Sequence, residues 1–282
     1  MSAMFGGVVR LGGALLLALG CMAIAAAAEP NLTVTVAGRA TTYAPASLLG
    51  MPAATTVNVP NDVAYKRDMS FRAVPAASLL GGVGPDDTLR FVASDGFVAT
   101  IPAALLLARN GSVAYLAIEP VDAPWPSLKP EGGPSAGPFY LVWVNPERAG
   151  ITPEQWPYQV ARIEDVAPLI KRYPMLAPAA SAHDAVRRGY AVFEKNCSVC
   201  HTLNLGGDAT VGPDLNVPYN PTEYMRVDAL RRLIRNPQSL RRWPAAKMPA
   251  FETKLLSDRD LTDLLAYLRH MADRKVAVPA LK

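Results

Sequence analysis

Residues 189–201 read GYAVFEKNCSVCH, and the last five, Cys197-Ser198-Val199-Cys200-His201, decide how the C-terminal third is built. CxxCH is the attachment pattern of c-type haem: both thiols become thioethers and the adjacent imidazole ligates the iron. Two residues between the cysteines match the separation of the two vinyl groups, and the next residue then projects beneath the metal. The same letters could form half of a zinc site or a redox dithiol. Zinc needs two further ligands at knuckle spacing, yet the other histidines, His183 and His270, are single and remote. A thioredoxin-like dithiol follows a strand, whereas this pair closes a helical stripe of Val186, Gly189, Tyr190 and Phe193.

A haem iron needs a sixth ligand or a deliberately open position. Met248, in Lys247-Met248-Pro249-Ala250-Phe251, lies in a loop between helical segments. Its thioether is a soft ligand that favours ferrous iron and raises the potential, as suits a carrier. Met225 and Met271 fall within helical patterns, where packing is the ordinary role. One of those helices is predicted to start at Asn220-Pro221, carry Leu230, Leu233 and Ile234, and stop before Asn236-Pro237. The last helix takes Ser257 as N-cap, with Asp260 three residues on, and its stripe is Leu261, Leu264, Leu265, Leu268 and Met271.

Taken together, residues 183–275 resemble a class I cytochrome c domain. GYAVFEKNCSVCH, VGPDL (211–215), KMPAF (247–251) and LTDLLAYLRHM (261–271) follow that family's order of haem helix, proline-bearing loop, methionine loop and C-terminal helix. The resemblance implies an all-α fold with one covalent haem c held by Cys197 and Cys200, and His201 and Met248 as axial ligands. It also implies that Pro213 offers its carbonyl to the other ring nitrogen of His201, fixing the ring. Gly189 and Phe193 map onto the crossing of the terminal helices, facing Leu264 and Tyr267.

Upstream, from Asn31 to about Asp165, the pattern changes to short strands. Leu89, Phe91 and Ala93 alternate, as do Phe97, Ala99 and Ile101, with Asp95-Gly96 between them as a hairpin turn. Short helices are predicted at Pro45–Leu49, Pro75–Leu80 and Pro102–Arg109, each opening on a proline. LTVTVAGRATTYAPASLLGM (32–51), FRAVPAASLLGGVG (71–84), FVASDGFVATIP (91–102), GPFYLVWVNPE (137–147) and WPYQVARIEDV (156–166) are similar to small proteins of the sulfite-oxidase-type molybdopterin fold. In that fold a cysteine thiolate ligates molybdenum, yet no cysteine occurs between residues 22 and 196. Residues 29–166 are therefore expected to form a strand-rich α+β scaffold of that type without molybdenum or pterin. Residues 167–182 are expected as a linker and 183–282 as the cytochrome domain.

The chain has 282 residues, is 50% hydrophobic and 18% charged, and spreads its 26 prolines and 20 glycines, which excludes disordered and collagen-like classes. Residues 1–28 carry Arg10, an apolar run and Ala26-Ala27-Ala28 before Glu29, the pattern of a cleaved export signal. The expected location is the periplasm; the alternative is an uncleaved inner-membrane anchor facing it. Eight basic residues fall between 226 and 254, so the basicity lies around the methionine loop. An exported haem protein has no use for nucleic acid, and the expected partner is an acidic redox protein, either a dehydrogenase or an oxidase. The expected function is single-electron transfer between a periplasmic dehydrogenase and a downstream acceptor. The competing class is an enzyme, namely a molybdenum oxidoreductase with a fused haem relay.

Overall fold

The structure is a computed structural model, described here for residues 30–277. The segment read as an export signal or anchor, with Cys21, lies outside the described residues. No helix among the described residues is long and apolar enough to cross a membrane.

Residues 32–166 supply nine strands in two sheets. They are β1 (Leu32–Val36), β2 (Arg39–Tyr43), β3 (Thr55–Val59), β4 (Met69–Pro75), β5 (Thr88–Ala93), β6 (Val98–Pro102), β7 (Val113–Ile118), β8 (Phe139–Val144) and β9 (Val160–Val166). One sheet runs β2-β1-β9-β5-β6, the other β3-β4-β7-β8, and only the β1–β9 pair is parallel. Alternation explains which face is buried: Leu32, Val34 and Val36 on β1 and Leu89, Phe91 and Ala93 on β5 point inward. Phe71, Tyr140, Leu141 and Trp143 from the second sheet join the same core, so the two sheets share it. The Asp95-Gly96 turn falls where expected; Gly96 has φ +91°, a conformation that favours glycine, and the Asp95 carboxylate accepts from the Phe97 amide at 3.0 Å.

Two short helices flank these sheets, α1 (Pro45–Leu49) and α2 (Ala103–Leu107). The expected helix at Pro75–Leu80 is a single 3-10 turn over Ala76–Leu79, because β4 extends through Pro75. Asp62 is fully buried, and its carboxylate accepts from the Ala64 and Tyr65 amides and the Tyr140 hydroxyl at 2.8–3.1 Å. Burial raises its pKa more than these bonds lower it. A carboxyl raised in the fold gives stability that is full below its unfolded pKa of about 3.9 and is lost as pH rises through the folded value. Asp62→Asn keeps an acceptor without the charge and is expected to gain on the native protein as pH climbs from 4 to 7. Asp62→Ala strands three donors and should cost about 3 kcal/mol or more in denaturant melts.

Residues 167–182, expected as a linker, are packed instead. They form α3 (Leu169–Arg172) and a 3-10 turn at Pro174–Leu176, and Leu169 and Leu176 enter the core of the helical half. The Tyr267 hydroxyl donates to the Leu176 carbonyl at 2.8 Å, and His270 Nε2 accepts from the Ala179 amide at 3.0 Å. His270 is thereby committed to structure.

The helical half contains α4 (Asp184–Asn196), α5 (Pro221–Tyr224), α6 (Val227–Arg235), α7 (Pro237–Leu240) and α8 (Asp258–Ala272). The helix expected from Asn220 to Arg235 is two helices, broken at Met225 and Arg226, whose extended backbone ends one and caps the next. α8 starts at Ser257 as read: its hydroxyl accepts from the Asp260 amide at 3.1 Å. α4 and α8 cross at Gly189, where Phe193 and Tyr267 rings pack 5.6 Å apart.

Candidate haem site

The CxxCH segment continues α4 by one turn. The Cys197 amide donates to the Phe193 carbonyl at 2.8 Å, and the Cys200 and His201 amides both return to the Cys197 carbonyl at 3.1 and 2.9 Å. This turn keeps both thiols and the imidazole on one short, rigid piece of backbone. Cys197 and Cys200 are recessed and unpaired. Burial pushes the Cys197 thiol up to about 12 and the Cys200 thiol up to about 11, with Glu154 adding to both and Asp95 to Cys200.

His201 Nδ1 lies 2.8 Å from the Pro213 carbonyl oxygen. A carbonyl only accepts, so Nδ1 carries the proton and Nε2 holds the free lone pair that a metal needs. Burial lowers the ring's pKa, which keeps it neutral and a competent ligand near pH 7. The loop that delivers Pro213 is tied down at both ends. The Gly212 amide donates to the Cys200 carbonyl at 2.7 Å, and the Leu215 amide to the Thr202 carbonyl at 2.9 Å. Asp214 accepts from the Leu205, Asn216 and Val217 amides at 2.7–2.8 Å. A Cβ on Gly212 would stand 2.6–2.7 Å from the imidazole, so only glycine lets this loop lie against the ring.

Met248 sits in the 241–250 loop, half-buried against the helical core. The returning arm of that loop is clamped by Arg235. Its guanidinium donates to the Phe251 carbonyl at 2.8 Å, the Leu256 carbonyl at 2.5 Å and the Asp258 carboxylate at 2.7 Å. Arg235 reads in the sequence as one more charge in a basic run, yet here it holds the methionine loop. Asn220 reads in the sequence only as a helix start, and Asn204 and Asn216 carry no signal there. All three form a buried ladder in which Asn220 Nδ2 donates to the Leu268 carbonyl and Asn216 Nδ2 to the Met271 carbonyl, at 2.9 and 2.7 Å. Both carbonyls lie in the last two turns of α8, so the ladder braces the end of that helix from the side. Three polar residues at irregular spacing carry no periodic signal that sequence reading could use.

The donor set fits a haem: two recessed thiols, one neutral imidazole with a fixed tautomer, and a thioether on a clamped loop. Residues 186–272 match the family model described as Cytochrome c. The C-terminal region therefore carries a cytochrome c domain, which implies covalently bound haem c and supports a haem-based role in electron transfer. No curated protein matches the chain.

Proposed function

We propose that the chain is an exported cytochrome with one haem c, attached at Cys197 and Cys200 and ligated by His201 and Met248. It passes single electrons from a periplasmic dehydrogenase to a downstream acceptor. The observation that carries this reading is the His201–Pro213 hydrogen bond beside the two thiols, because it puts the ring proton on Nδ1 and leaves the Nε2 lone pair for iron. Bound haem supplies an iron that changes charge by one electron. The chain's part is to keep that centre rigid and partly shielded: Pro213 holds the imidazole, Gly212 admits the loop, and Arg235 fixes the arm that follows Met248. A fixed ligand set lowers the reorganisation that accompanies each electron.

The single CxxCH in the sequence supports a single haem. The resemblance of residues 29–166 supports a molybdopterin-type scaffold that positions the cytochrome or a partner, and the missing thiolate between residues 22 and 196 supports its lacking molybdenum. An acidic redox partner suits the exposed Arg226, Arg241 and Arg242 and the exposed aromatics Tyr219, Tyr224 and Trp243; the Arg241 guanidinium lies 5.7 Å from the Trp243 ring centre. Export to the periplasm rests on residues 1–28.

The test is Met248→Ala. The oxidised variant is expected to lose the weak near-infrared charge-transfer band and to show a lower midpoint potential, while haem stays attached. An unchanged spectrum would remove Met248 as the ligand.

A further inference from the structure

We propose that the strand domain is a fixed cover over the cysteine side of the haem site, seated by the tip of the β5–β6 hairpin, so that redox partners must approach from the methionine-loop side. This inference rests on haem being attached at Cys197 and Cys200.

Of the two residues between the cysteines, Ser198 bonds back to α4, whereas Val199 belongs structurally to the other domain. Val199 is 3% exposed and packs within the core of the sheets, and Cys200 packs against that core. The Val98 amide, at the start of β6, donates to the Val199 carbonyl at 3.4 Å, a long bond that continues the sheet edge onto the haem-binding turn. One residue pair further along, a Cβ on Gly96 would stand 2.7 Å from Thr210 Oγ1, so the hairpin tip rests on the loop that carries Gly212 over His201. Asp95, next to Gly96 in this turn, is exposed at that tip.

The seat is locked from the flank. Asp208, in the same loop, takes hydrogen bonds from Arg90 on β5 at 2.6 Å, from Arg172 on α3 at 2.8 Å and from the Tyr173 hydroxyl at 2.9 Å. Arg90 also pairs with Glu164 on β9. Asp208 is 9% exposed, so its charge is neutralised by partners from the strand domain and the connecting segment rather than by water. On the other edge Lys195 Nζ donates to the Gly150 carbonyl at 2.8 Å. Contacts on three sides of the turn leave little freedom for the cover to lift. The methionine loop, by contrast, presents Arg241, Arg242, Trp243 and Lys247 to solvent.

The experiment uses the full-length protein with haem attached. Asp95→Lys places a positive charge at the hairpin tip, giving up the carboxylate that accepts from the Phe97 amide; Glu131→Lys, in the exposed β7–β8 connection, makes the same charge change elsewhere. The first is expected to raise the midpoint potential and speed reduction by ascorbate several-fold at low salt, an effect that shrinks as salt rises; the second should do neither. A double variant, Asp208→Asn with Arg90→Gln, unlocks the flank. Its amides at 94–98 and 208–212 should exchange with deuterium faster, and the influence of Asp95→Lys should fade in that background. Equal behaviour of the Asp95 and Glu131 variants in haem-bearing protein, or unchanged amide exchange on unlocking, would overturn the cover. A chain without covalent haem fails earlier, and then the haem reading falls and takes the cover with it.

Discussion

Gly189→Ala is expected to unfold the helical half at temperatures the native protein tolerates, and to cost at least about 3 kcal/mol in denaturant melts. The substitution favours helix propensity by about 1 kcal/mol, so local energetics alone would call it stabilising. Packing reverses the sign. A Cβ at Gly189 would stand 2.0 Å from the Asp263 carbonyl oxygen and 2.7 Å from Tyr267 Cβ, and the first of these is backbone that cannot rotate away. Making room would push α4 off α8, separating Phe193 from Tyr267 and straining the Arg188–Asp263 ion pair beside the crossing. Haem binding should weaken with it, because the CxxCH turn is built directly on the end of α4. A variant as stable as the native chain would mean that the helices do not cross this closely.

The second large effect is expected from Cys197→Ser with Cys200→Ser. Mass spectrometry of the denatured chain should find none of the haem mass that stays with the native protein. Each serine is nearly isosteric, so the change removes the sulfur chemistry and little volume. The same thiols carry a kinetic implication. With pKa values near 12 and 11 they are almost entirely protonated at pH 7, at roughly one thiolate in ten thousand or fewer. Val199, between them, is locked in the core of the strand domain. Thiols so placed are poor reactants, and attachment is expected to precede the docking of the two domains. Adding haem to the folded, haem-free protein should therefore yield far less thioether than supplying it during folding. Equal yields would show that the turn stays open.

The contrast between these residues explains what could be read in advance. CxxCH, the stripe on α4, the Ser257 cap and the Asp95-Gly96 turn are local: each depends on neighbours within a few residues, and each carries a spacing set by helix pitch, strand alternation or thioether geometry. They sufficed to place strands before helices and to mark Cys197, Cys200 and His201 as one chemical unit. The break at Met225 and Arg226 was less legible, because apolar periodicity runs across it and only the capping box of Asn220 with Glu223 betrays a short separate helix.

The chain's own letters were enough for the strand-rich half, the helical half and the identity of the thiols and imidazole, since period and spacing are properties of consecutive residues. The roles of Arg235, Asp208 and Val199 were decided in space. Arg235 reads as one more charge in a basic run, Val199 as a spacer between two cysteines and Asp208 as nothing in particular, until the fold brings them against Leu256, Val98 and Arg90, the last two more than a hundred positions away from the residues they meet. Such pairings are set by how two sheets and eight helices share their cores, and no local period records them.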